Sequence, residues 1–133
     1  MKILIAMTIL ALGLVFPAFA ADKEDLDHLE NRVKQLNALG AKPAMQDVAF
    51  QRISTETGVP LETVRKQHGR HPNIGVAGVM IANVLANETK KNPEWFLTQK
   101  VDGKKWLQLA KEHNVSVDKL NERLDRLHKA IKG

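Results

Sequence analysis

One stretch of this chain recurs in recognisable form, and that internal repeat limits the fold more than any other feature. Ile53 to Val64 aligns without a gap on Leu109 to Leu120, and a weaker copy, Leu85 to Phe96, lies between them. In each copy a helix runs to a residue placed for the left-handed conformation, Gly58, Lys90 or Asn114, with lysine the poor member of the set. A second helix then starts. Asn92 and Ser116 offer a side-chain oxygen as its cap and Pro93 suits its first position, whereas Pro60 brings no acceptor to the first copy. Small residues at Ser54, Ala86 and Ala110 let the two helices approach, and Val64, Phe96 and Leu120 fill the angle between them. Three helical hairpins are predicted.

Helical periodicity accounts for most of the remainder. Leu26, Leu29, Val33 and Leu36 recur at steps of three and four, which predicts an amphipathic helix over 22–39. Asp22, Glu24, Asp25 and Asp27 lie at the end where the helix dipole favours negative charge, and Gly40 with Pro43 marks the stop. Met45, Val48, Ala49 and Ile53 predict a core face over 43–57; Val76, Val79, Met80 and Leu85 predict another over 76–89. Trp106, Leu109 and Ala110 predict a third over 103–113, capped by Asp102. The cleanest stripe is Val117, Leu120, Leu124, Leu127 and Ile131, with Glu122–Arg126 and Asp125–Lys129 as pairs on its solvent side. His68 to Gly75 reads as a loop. No stretch alternates with period two, so the expected fold class is all-α. An N-terminal amphipathic helix at 21–42 precedes a hairpin-repeat domain at 43–133, in one small bundle.

The first twenty residues read as an export signal. Lys2 is followed by an apolar run from Ile3 to Phe16, then Pro17 and the small-x-small sequence Ala18-Phe19-Ala20 before Ala21. That run is shorter than the roughly twenty residues a spanning helix needs, so a cleaved signal at 1–20 and a periplasmic or secreted protein are expected. The chain has no cysteine, which removes lipid attachment at a lipobox thiol, disulfides and c-type haem. Its net charge is +5, with basic residues gathered from Arg65 to His71 and from Lys100 onward. An envelope protein or an anionic surface is the expected partner.

The pattern Ser54, Gly58, Val59 and Val64 resembles the helix-turn-helix motif of bacterial regulators. A nucleic-acid reader of that kind would present Glu62, Thr63, Arg65 and Lys66 to a groove, with Arg70 near phosphates. The third copy departs from this, because Asp118 and Glu122 occupy the corresponding face. As a whole the chain resembles small exported all-helical bacterial proteins of unassigned activity, a resemblance that carries over no site.

The residues give no convincing catalytic set. A Gly-x-Ser-x-Gly elbow, an HExxH helix and a glycine-rich phosphate loop are all missing, so no enzyme, catalytic residue or cofactor is expected. Glu56, Glu88 and Glu112 share one repeat position and read as exposed helix-end residues. His68-x-x-His71, with His28, His113 and His128 elsewhere, offers two imidazoles but no third ligand; metal binding is one alternative to the expected reading, and nucleic-acid binding, should the first twenty residues not be an export signal, is the other. Trp95 and Trp106 are expected in the core. The candidate interaction surface is Arg65, Lys66, His68, Arg70 and His71, and the stripe of Leu26, Leu29, Val33 and Leu36 is a second candidate, for self-association.

Overall fold

The computed structural model describes residues 27–132, all helices and turns with no strand among them. Residues 1–20, read above as an export signal, and Asp22, Glu24, Asp25 and Leu26 lie outside the described residues. The first helix, α1, covers 27–39 in its described part. It is followed by α2 (Pro43–Thr57), α3 (Leu61–Arg70), a 3-10 turn (Pro72–Ile74), α4 (Gly75–Thr89), α5 (Pro93–Val101), α6 (Trp106–Glu112) and α7 (Val117–Lys132).

α4 is the axis of the molecule. It is apolar on every side, with each residue from Val76 to Ala86 buried, and it packs against α2, α3, α5 and α7. A helix of that composition is stable only when surrounded, because each fully buried Val, Leu, Ile or Met contributes about 1.5–3 kcal/mol relative to exposure. Asn83 is the one polar side chain in this buried run, and its amide pairs reciprocally with Gln67 of α3 at 3.1 and 2.7 Å while donating to the Val79 carbonyl at 2.9 Å. Both amides are almost fully shielded from solvent.

The chain reverses after α2 at Gly58 (φ 75°), after α4 at Lys90 (φ 60°) and after α6 at Asn114 (φ 59°). Val64, Phe96 and Leu120 are fully buried behind these turns, and Ala86 and Ala110 are buried in the helices before them. Asn92 Oδ1 accepts from the Glu94 amide at 2.9 Å and Ser116 Oγ from the Lys119 amide at 3.4 Å, so each caps its helix. Pro60 supplies no such bond. Ser54 Oγ donates instead to the Val59 carbonyl at 2.6 Å, and Thr57 Oγ1 accepts from the Val59 amide, which holds the first turn from the α2 side.

Two boundaries and one buried face differ from the sequence reading. His68, Gly69 and Arg70 form the last turn of α3 rather than a loop, because buried Gln67 extends its packed face by a further turn. Asp102 ends α5 instead of capping α6, which starts only at Trp106. In α2 the buried face is Ala49, Phe50, Ile53 and Thr57, while Met45 and Val48 face outward at 36% and 39% exposure.

α1 closes the bundle by capping helices other than its own. α4 begins after Ile74 and α6 after Lys105, neither of which has a side-chain acceptor. Asn37 of α1 serves the first, accepting from the Ala77 amide and donating to the Ile74 carbonyl, each at 2.8 Å. Gly75 lies beneath that amide at φ 76°; a Cβ there would occupy the space Asn37 fills. Glu30 serves the second, accepting from the Trp106 amide at 3.0 Å and from Lys100 Nζ at 2.6 Å. Arg32 then ties α1 to Asn121 and Asp125 of α7.

Candidate functional site

α3 turns Val64 and Gln67 into the core, which leaves Glu62, Thr63, Arg65 and Lys66 on its outer face. Arg65 Nη2 donates to Asp47 of α2 at 2.8 Å, and both groups are open to solvent. Lys66 is exposed. His68 is half-buried, edge-on to Phe50 with ring centroids 5.2 Å apart, and burial lowers its pKa below the ordinary histidine value. Arg70 Nη1 and His71 Nε2 both donate to the Glu94 carboxylate, each at 3.0 Å. Burial works to raise the Glu94 pKa; the hydrogen bonds from His71 and Arg70, with their charges, outweigh it and hold the carboxyl below its usual range.

The five residues singled out from sequence thus fall into three environments. Arg65 and Lys66 form an open basic face, His68 turns toward the edge of the core, and Arg70 with His71 clamps the first turn of α5. Two carboxylates to which the sequence reading gave no role, Asp47 and Glu94, neutralise part of this surface. His68 and His71 have different partners, and no group of three His, Asp or Glu side chains placed for a metal ion occurs among the described residues.

Other expectations are corrected by burial. Leu29, Val33 and Leu36 are 0%, 4% and 3% exposed, so the α1 stripe belongs to the chain's own core and offers no surface for self-association. Leu26, its fourth member, lies outside the described residues. Trp106 is fully buried, but Trp95 is 39% exposed, because Phe96 takes the inward position at the start of α5. The Trp95 ring stands edge-on to Phe96 and His113, with Lys91 Nζ 5.1 Å above it. Glu56 is not an exposed helix end. Arg52, Arg123 and Arg126 surround its carboxylate at 3.5, 3.4 and 2.9 Å, and Arg123 Nη1 also donates to its backbone carbonyl. Glu88 and Glu112 do remain open, paired with Lys119 and Lys104.

A feature with no counterpart in the sequence reading lies where α1, α2 and α7 meet. An open groove of about 720 Å³ is lined there by Gln35, Ala38, Leu39, Lys42, Met45, His128, Ile131 and Lys132. The outward turn of Leu39 and Met45 is its only sequence-level trace, and periodicity alone assigned Met45 to the core. No family model, curated protein or solved structure matches this chain.

Proposed function

We propose that this is an exported, non-catalytic interaction or structural protein of the cell envelope, which presents the basic face of α3 to an anionic partner. The observation that carries the reading is how the charged side chains are used. Glu56 with three arginines, Glu94 with Arg70 and His71, and Glu30 with Lys100 all join one helix to another, so these charges serve as ties within the bundle. Lys66 and the outer edge of Arg65 remain for contact. Export is supported by the pattern of residues 2–20 and by a fold whose described part contains no cysteine to oxidise.

The turns at Gly58, Lys90 and Asn114 are read as three copies of one helix-turn-helix-like packing unit. Their common backbone conformation and the buried residue behind each support this. Packing accounts for the likeness better than DNA reading does, since Arg65 is engaged by Asp47 and Asp118 and Glu122 are exposed on α7.

Two measurements test the proposal. The intact mass of protein recovered from the envelope fraction is expected to match a chain beginning at Ala21. Retention of envelope components on the immobilised protein is expected to fall when Arg65→Glu and Lys66→Glu are combined. A full-length polypeptide confined to the cytoplasm, or undiminished retention by the double variant, overturns it.

A further inference from the structure

We infer that the groove between α1, α2 and α7 is a binding site for a single-chain fatty carboxylate. It shares no residue with the basic face of α3, and the inference stands whatever compartment the protein works in. Ala38, Leu39, Met45 and Ile131 give the groove an apolar floor, and Leu39 and Met45 keep 37% and 36% of their surface open to solvent. Lys42 and Lys132 stand among the lining residues, and no carboxylate does among the described residues. The acids nearest in sequence on these helices are engaged elsewhere: Asp47 holds Arg65, and Asp125 holds Arg32. The groove therefore combines exposed apolar surface with two lysines that have no ion-pair partner among the described residues.

That combination selects among occupants. A second copy of this chain, at net charge +5, would bring like charge against the two lysines. An uncharged apolar ligand would cover the floor but gain nothing from the two ammonium groups. An amphiphile with one apolar chain and an anionic head satisfies both parts: its chain covers Leu39, Met45 and Ile131, while its carboxylate reaches the lysine ammonium groups. The volume lies within the roughly 300–1,000 Å³ of small-molecule sites.

The test is calorimetric titration of the protein, purified from the cells that make it, with dodecanoate below its micellar concentration. Saturable binding at one molecule per chain is expected. Decanoate should bind more weakly, by up to about fifteenfold if the two missing methylenes are fully buried in dodecanoate. Lys42→Glu combined with Lys132→Glu should weaken dodecanoate at least tenfold, and Leu39→Glu should do the same through the floor. These positions are at the surface, and an unchanged unfolding temperature verifies that the variants fold. Dodecyltrimethylammonium, with the opposite charge, should not bind.

Four results overturn the inference: no saturable dodecanoate binding, equal binding of the cationic amphiphile, dodecanoate affinity that survives the variants, or adsorption to phosphatidylglycerol vesicles without binding of the monomer. A dimer in sedimentation that Leu39→Glu dissociates also overturns it and assigns the groove to a second copy. Loss of the α3 proposal leaves all these measurements unaffected.

Discussion

At single positions the cost of an unfavourable backbone or an unpaired amide sets the expected effects. Gly58 and Lys90 end equivalent helices with the same handedness, yet only glycine adopts it without a penalty of about 1 kcal/mol. No atom lies within 4 Å of where a Gly58 Cβ would sit, so Gly58→Ala is expected to lose about 1 kcal/mol through backbone alone. Lys90→Gly should move the other way, gaining about 0.5–1 kcal/mol in denaturant unfolding, since it relieves the same strain. The pair Asn83 and Gln67 obeys a different rule. Asn83→Leu leaves the buried Gln67 amide without a partner and is expected to cost about 1–3 kcal/mol. Changing both residues to leucine should recover part of that loss, because no polar group then remains buried and unpaired; a double-mutant cycle measures the recovery. The turn residues could be read directly from the sequence, as Gly58, Asn92 and Ser116 each act through their own side chain or its absence. The amide pair could not, because its partners are on helices that only the packed fold brings together.

For whole helices, the informative contrast is between caps a helix supplies for itself and caps it receives from another. α5 carries its own in Asn92, adjacent in sequence and therefore predictable. α4 receives its cap from Asn37 of α1, and α6 adds Glu30 of α1 to the bond its own Gln108 accepts from the Lys105 amide; both α1 residues lie far away along the chain. This explains why the sequence located α6 three residues early: the local rule selected Asp102 as cap, while the fold satisfies the helix through Glu30. It also explains how the α1 stripe was legible but its role was not. Periodicity identifies Leu29, Val33 and Leu36 as needing a partner, and only the bonds that Glu30 and Asn37 make beside them reveal that the partner is the rest of the chain. Asn37→Ala is expected to cost about 1–2 kcal/mol, from the lost cap and the unpaired Ile74 carbonyl. Asn37→Asp keeps the acceptor for Ala77 and loses the donor to Ile74, so it should lie between the parent and the alanine variant. Equal unfolding temperatures for all three would show that α1 does not cap α4.

Across the molecule, the two groups with lowered pKa among the described residues make folding weaker in acid, and their windows are separable. His68 titrates below its unfolded value of about 6.5, so between those pH values the unfolded chain binds a proton that the folded chain refuses. Its contribution is complete above about pH 6.5 and is lost as pH falls through the folded value. Glu94 behaves alike in a lower range. With its carboxyl held below the usual value of about 4.3, its stabilisation is present above that pH and is lost on further acidification. The second loss also releases the clamp between the end of α3 and the start of α5, where Arg70 and His71 share the Glu94 carboxylate. Unfolding free energy measured from pH 7.5 to pH 3 should therefore fall in two stages. His68→Gln is expected to flatten the first stage relative to the parent, and Glu94→Gln the second, each leaving the other intact. Identical slopes in parent and His68→Gln between pH 7 and pH 5 would contradict the half-buried placement of that imidazole against Phe50.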